Sequence, residues 1–213
     1  MDITKDKKIE QINTTQHYEV LQELGDCYTF TGNLVKAKSC YQKAASLAPD
    51  QAGPHVGLGV VAVQEELLAD AEAAFNIACR LDSNCSKAYA GLAIVEQQRG
   101  NREQAFEMYI KSLDIDPENQ TALFGLLQTC CHTGSYEKII HYLREYLNRH
   151  PGDTSLMFTL AALYMKEGRF EESKALLLDI LSLDGDNADA ANLLKEVQRS
   201  LVQTKQSTIG IEQ

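Results

Sequence analysis

Leucines followed by a small or apolar residue recur along the chain every 34 residues. The recurring pairs are Leu24-Gly25, Leu58-Gly59, Leu92-Ala93, Leu126-Leu127 and Leu160-Ala161. A fixed period of this length indicates a repeat architecture in which each unit packs on its neighbours. The period divides most of the chain into five registers, 18–51, 52–85, 86–119, 120–153 and 154–187.

Each register contains two segments in which apolar residues follow the three- and four-residue spacing of an α-helix. In the first register, small Ala37 and Ala44 flank the ring of Tyr41, so the ring is expected to insert between helices. The predicted first helices are 18–31, 52–65, 86–99, 120–133 and 154–167. The predicted second helices are 34–47, 68–81, 102–115, 136–149 and 170–183.

Turn-forming residues stand where these helices should end. Glycine occupies the fifteenth position of four registers, where a positive φ is often needed, and Glu66 takes its place in the second register. Pro49, Pro117 and Pro151 stop second helices. The last register position holds the predicted N-caps Asn119, Asp153 and Asn187.

The flanking segments differ from the repeats. Residues 1–17 carry Ile9 and Ile12 and are predicted to be flexible or a short helix. Residues 188–202 have apolar positions at helical spacing and are predicted to form a capping helix over the apolar end of the repeats. The polar segment 203–213 is predicted to be a frayed tail.

The 34-residue pattern resembles the tetratricopeptide repeat (TPR) family over residues 18–187. The resemblance implies an all-α fold, a right-handed superhelical α-solenoid of helix-turn-helix repeats with a C-terminal capping helix. It also implies a concave groove lined by the first helix of each repeat. Matched to this sequence, the groove residues are Gln22, Asp26, Val56, Val60, Val63, Lys87, Ile94, Gln97, Gln98, Phe124, Gln128, His132, Phe158 and Met165.

The groove residues indicate what kind of ligand is expected. The middle of the set is apolar and the first-repeat end is acidic, which suits an extended or helical protein segment with apolar anchors and basic residues. The family's carboxylate clamp for chaperone tails is not expected. Of its five positions, only Lys87 matches, and Asp26 would repel a carboxylate.

Charge and composition exclude other functions. The formal net charge is −10, which argues against nucleic acid as a partner. Apolar runs are too short for a membrane span, and the N-terminal residues lack the apolar stretch of a secretory signal, so a cytoplasmic location is expected.

No catalytic or cofactor-binding motif is present, and cysteines and histidines lack metal-site spacing. The six cysteines, which include the adjacent Cys130 and Cys131, are expected to be reduced thiols. The sequence therefore predicts a protein that is not an enzyme and has no metal and no cofactor.

Three hypotheses for the role follow. The leading one is a protein–protein interaction scaffold or adaptor that holds a partner segment in its groove. The second is a chaperone similar to the TPR chaperones of type III secretion. The third is a self-assembling scaffold of an organelle or envelope complex, a homo-oligomer formed through residues 1–17.

Overall fold

The computed structural model describes the backbone of residues 3–133 and 136–209 and the side chains of residues 17–129 and 136–204. These ranges contain helices and turns, with no strand. The helices are α1 (Ile3–Phe30), α2 (Leu34–Leu47), α3 (Ala52–Gln64), α4 (Leu68–Leu81), α5 (Ser86–Gln98), α6 (Arg102–Ile115), α7 (Gln120–Thr133), α8 (Tyr136–Arg149), α9 (Thr154–Lys166), α10 (Phe170–Leu183) and α11 (Ala188–Ile209). Within them, no helix is long and apolar enough to cross a membrane.

The chain divides into two compact units, residues 1–132 and 133–213. In the first unit, α1 packs on α2, α3 on α4 and α5 on α6, and α2 and α4 also contact the first helix of the next repeat. In the second unit, α9 packs on both α8 and α10, and α11 packs on α10. Each unit is therefore built from neighbouring helix pairs, the all-α repeat fold that the sequence predicts.

The helix bounds agree closely with the 34-residue period, except at the two ends of the chain. The five second helices begin and end at the predicted residues. However, α1 begins at Ile3, well before residue 18, and α11 continues beyond residue 202 to Ile209. The segments 1–17 and 203–213 were predicted separately from the repeats, yet residues 3–17 and 203–209 continue these terminal helices.

The turns and caps form as the residue types predict. Gly32, Gly100 and Gly168 have φ of 74°, 84° and 73°, in the left-handed region that glycine adopts without steric cost. Helix α2 ends two residues before Pro49. The side-chain oxygen of Asp153 accepts a hydrogen bond from the backbone N–H of Leu156 at 3.0 Å, which caps α9.

In the first unit, an aromatic ring fills the space between the two helices of each repeat. Tyr41, Phe75 and Tyr109 are each 1% exposed. Glycines on the neighbouring first helices make room for them, because a Cβ on Gly25 or Gly59 would overlap the adjacent ring. These close helix–ring contacts bury the rings and fix the spacing of the pairs.

The second unit fills the same space with different volumes. Leu143 and Leu177 take the ring position, and both are fully buried. Larger Ile139, Tyr146 and Ile180 stand where the first unit has alanine or serine, and all three are buried. In the fourth register, the larger side chains of Ile139 and Tyr146 thus offset the smaller volume of Leu143.

One turn of the second repeat is strained. Glu66 occupies the glycine position with φ of 60°, and among the described residues it alone, apart from glycines, has a positive φ. For a residue with a Cβ, this conformation costs about 1–2 kcal/mol, partly offset by the chain entropy that a glycine would lose.

Glu66→Gly is therefore expected to raise the melting temperature by roughly 2–4 °C, a gain of up to about 1 kcal/mol. Thermal unfolding followed by circular dichroism measures it. The matched control is Glu65→Gly, where φ is −84° and there is no strain to relieve. An unchanged or lower melting temperature for Glu66→Gly would show that the turn stores no strain.

Candidate functional site

A groove of about 570 Å³ lies in the first unit between α3, α5 and the start of α7. Its lining residues are Val56, Val60, Val63, Gln64, Phe75, Lys87, Ala90, Gly91, Ile94, Asp116, Glu118, Asn119, Gln120 and Thr121. This volume lies within the range of about 300–1,000 Å³ that is typical of ligand-binding clefts.

The floor of the groove is apolar because α3 presents Val56, Val60 and Val63 at helical spacing. These three valines are half-buried and pack against the buried cluster around Phe75 and Val95. Each valine therefore has one side in the core and another side facing the groove. Such residues form a rigid apolar surface, because the core beneath holds them in place.

The rim of the groove carries charges of both signs. Lys87, the second residue of α5, lies on one side and is exposed. Asp116 and Glu118 lie in the turn before α7, where an Asp116 carboxylate oxygen accepts a hydrogen bond from the backbone N–H of Glu118 at 3.0 Å. A ligand segment would meet an apolar floor between an ammonium group and two carboxylates.

In the first repeat, a predicted groove residue, Asp26, is hydrogen-bonded to a tyrosine of the core. The hydroxyl of Tyr41 donates to a carboxylate oxygen of Asp26 at 2.7 Å, and Thr29 lies 3.1 Å from the same hydroxyl. Burial, together with the nearby Asp26 carboxylate, raises the pKa of Tyr41 well above its ordinary value. Gln22 packs against Gly53, between the first and second repeats. Asp26 and Gln22 therefore also stabilise the fold.

In the third repeat, a core tyrosine makes an equivalent hydrogen bond, but its acceptor is a neutral side chain. The hydroxyl of Tyr109 donates to the side-chain oxygen of Gln97 at 2.7 Å, and the Gln97 amide donates to the Gln128 oxygen at 3.0 Å. Burial raises the pKa of Tyr109 to about 12, so its hydroxyl keeps its proton and remains a donor. This chain of bonds links α6, α5 and α7.

The aromatic residue buried between the two helices of a repeat thus determines whether the groove-facing residues of its first helix are polar or apolar. Tyr41 and Tyr109 each carry a hydroxyl that needs an acceptor, and polar side chains stand in front of them. Phe75 has no hydroxyl, and valines 60 and 63 occupy the corresponding positions. The co-occurrence of tyrosine with polar groove residues is visible in the sequence, and it indicates that these polar residues also bond to the core.

The predicted groove residues fall into separate groups in the structure. Five of them line the groove: Val56, Val60, Val63, Lys87 and Ile94. Gln98 and Phe124 are exposed outside its lining, and Phe124 is 50% exposed. Phe158 and Met165 are half-buried on α9 of the second unit. The side chain of His132 lies outside the described residues.

Apart from Thr121, the rim formed by α7 and its preceding turn was not predicted. Asp116, Glu118, Gln120 and Thr121 reach the groove from the junction between the third and fourth registers. Of these, only Thr121 stands at a register position that the family pattern directs into the groove.

The structure gives no indication of a metal site in the described residues, since no group of three or more His, Cys, Asp or Glu side chains comes together there. Cys27, Cys40, Cys79 and Cys85 are free thiols. The side chains of Cys130 and Cys131 lie outside the described ranges.

Three sequence profiles, each described as a tetratricopeptide repeat, match residues 18–51, 86–119 and 132–197. The chain belongs to the tetratricopeptide repeat family. Two of the matches have the same bounds as the first and third registers. Proteins with this repeat are generally non-catalytic interaction scaffolds.

A curated relative is the cellulose synthase operon protein C of Xanthomonas axonopodis pv. citri, 22% identical over 191 residues. The match covers 84% of this chain but only 12% of that protein. The chain thus spans about an eighth of this relative's length.

Solved structures share the fold. PilF of Pseudomonas aeruginosa has a TM-score of 0.68 at 18% identity, over 94% of this chain and 91% of PilF. The first TPR of Spaghetti (RPAP3), bound to the HSP90 peptide SRMEEVD, has a TM-score of 0.50 at 25% identity, over 56% of this chain and 95% of that one.

Proposed function

We propose that this TPR protein is a non-enzymatic scaffold that holds a segment of a partner protein in the groove between α3 and α5. The observation that carries the proposal is the apolar floor of Val56, Val60, Val63 and Ile94, which remains accessible beside a buried core. An accessible apolar patch framed by polar groups is typical of a site of protein interaction.

The proposed ligand is a short extended or helical segment with at least one large aliphatic or aromatic side chain. That side chain would lie over Val60 and Ile94, where the floor consists of aliphatic side chains. The exposed carboxylate of Asp26 favours a basic residue toward the first repeat, and the Gln97–Gln128 pair offers amide groups at the other side.

The structure argues against an acidic peptide held as a carboxylate clamp would hold it. Gly57 and Gly91 occupy two of the clamp positions, and each packs directly on a buried ring. Any side chain there would collide with Tyr41 or Phe75 rather than reach a ligand. The acidic HSP90 peptide of the RPAP3 structure is thus a precedent for binding in this fold and not for the chemistry of this groove.

Selection of a phage-displayed random peptide library on the purified chain tests the proposal. We expect enriched peptides to share an aliphatic or aromatic anchor next to a Lys or Arg. Because burying one such anchor contributes about 1.5–3 kcal/mol, Val60→Glu/Ile94→Glu is expected to weaken the selected peptide roughly tenfold or more.

The control for this experiment is Val35→Glu/Leu183→Glu, which adds the same charges at exposed apolar positions outside the groove. Circular dichroism confirms that each variant is folded, and Val60→Thr/Ile94→Thr replaces the glutamates if they unfold the chain. Equal affinity of the groove variant and the control would contradict the proposal.

A further inference from the structure

The groove contains a hollow over Ala90 and Gly91 of α5. Both residues line the groove, although Ala90 is only 2% exposed and Gly91 is buried. The ring of Phe75, which is 1% exposed, also lines the groove and packs directly on Gly91. This space, the Ala90 hollow, therefore extends into the interior of the first unit, because deeply buried residues border it.

The Ala90 hollow exists because residue 90 is small. Ala90 is the fifth residue of its register, and this position holds Val56 in α3 and Phe124 in α7. Val56 is half-buried and Phe124 is 50% exposed, so both side chains are more accessible than that of Ala90. The preceding and following first helices thus carry larger side chains at the position where α5 leaves a gap. A larger residue at position 90 would fill this gap.

The charges at the rim of the groove indicate what kind of side chain fits the hollow. Lys87 precedes Ala90 by three residues, so the two lie on one face of α5. Asp116 and Glu118 line the groove from the turn before α7. An aromatic ring has an electronegative face and an electropositive edge, which attract an ammonium group and a carboxylate respectively. An aliphatic side chain has neither, so a rim with both signs of charge favours a ring.

We infer that the Ala90 hollow binds an aromatic side chain of the partner segment, that Ala90 sets the size of this side chain, and that Lys87 favours a ring over an aliphatic group. The inference rests on the proposed function and assigns one residue of the bound segment to one part of the groove. The bound ring lies against the ring of Phe75 in an offset or edge-to-face arrangement. Aromatic residues are common anchors of interfaces, because they bury a large apolar area and have few rotatable bonds.

Peptide selection on the wild-type chain and on Ala90→Leu tests the role of Ala90. From a phage-displayed random library, the wild-type chain should enrich peptides with Phe, Tyr or Trp at the anchor position. Ala90→Leu fills the hollow, so it should enrich small anchors such as Ala or Val and should bind the wild-type peptide roughly tenfold or more weakly. The matched control is Ala73→Leu, which adds the same side chain at an exposed position of α4 and should select the same peptides as the wild-type chain.

Replacement of the anchor within the selected peptide tests the role of Lys87. Exchanging the aromatic anchor for Leu should weaken binding to the wild-type chain about fivefold, but binding to Lys87→Met only about twofold, because the variant keeps a long apolar side chain and loses the cation–π contact. The control is Lys43→Met, which removes an exposed ammonium group outside the groove and should behave as the wild-type chain. An equal effect of the exchange in the wild-type chain and Lys87→Met would overturn the role of Lys87.

The outcomes separate this inference from the proposed function. Circular dichroism confirms that Ala90→Leu is folded, and Ala90→Val, which fills part of the hollow, replaces it if it is not. Aliphatic anchors in the peptides selected on the wild-type chain would overturn the inference. So would a peptide that Val60→Glu/Ile94→Glu weakens and the folded Ala90 variant does not, although the groove would still be the binding site. A peptide that neither variant weakens would contradict the inference and the proposed function together.

Discussion

Gly91→Ala is expected to lower the melting temperature by roughly 4–8 °C, a loss of about 2 kcal/mol. A Cβ at this position would lie 2.7 Å from Cδ1 of Phe75 and closer still to Cε1 and Cζ. The ring has little room to move away, because Gly59 of α3 packs directly on the same ring, where an added Cβ would lie 2.6 Å from Cε1 of Phe75. Thermal and denaturant unfolding measure the loss.

Helix propensity alone predicts the opposite result, that Gly91→Ala stabilises the fold. In the middle of a helix, alanine is favoured over glycine by about 1 kcal/mol, so a more stable Gly91→Ala would show that the ring contact is loose. The control is Gly152→Ala, where no atom lies within 4 Å of the added Cβ and the expected change is small.

Asn119→Ala is expected to cost about 2–3 kcal/mol, because one side chain serves two purposes. Its amide donates to the buried hydroxyls of Ser86 at 2.7 Å and Ser112 at 3.1 Å. Its oxygen accepts from the backbone N–H of Ala122 at 3.1 Å and so caps α7. The substitution removes the cap and two buried hydrogen bonds together.

The matched control is Asn187→Ala. Asn187 caps α11 by accepting from the backbone N–H of Ala190 at 3.0 Å, and its amide contacts only the exposed carboxylate of Asp184. This variant should lose the cap alone, about 1 kcal/mol. Equal losses for Asn119→Ala and Asn187→Ala, measured by urea unfolding, would mean that the buried serine network contributes nothing.

The 34-residue period predicts most of the fold, because each recurring position has one physical role. The small residues beside Tyr41, the glycine turn at Gly32 and the stop at Pro49 are local requirements visible in the sequence. The 34-residue period does not predict where α1 begins or where α11 ends. Residues outside the period have no neighbouring register to compare with, and polarity alone does not end a helix.

The site was only partly predictable for a different reason. Val60 and Ile94 face the groove because helical register directs them there. Asp26 and Gln97 were expected to contact a ligand, but each also accepts a hydrogen bond from a tyrosine of the core. That contact joins residues 12 or 15 positions apart and depends on the packing of two helices. The Asp116–Glu118 rim likewise depends on where a turn lies relative to α5.

Hydrogen exchange with a selected peptide bound is the most direct test of the proposed groove. The account predicts slowed exchange in α3, α5 and the first turn of α7, with no change in α8 to α11 and a loss of the effect in Val60→Glu/Ile94→Glu. Protection confined to α2 and α4, or to the second unit, would contradict it.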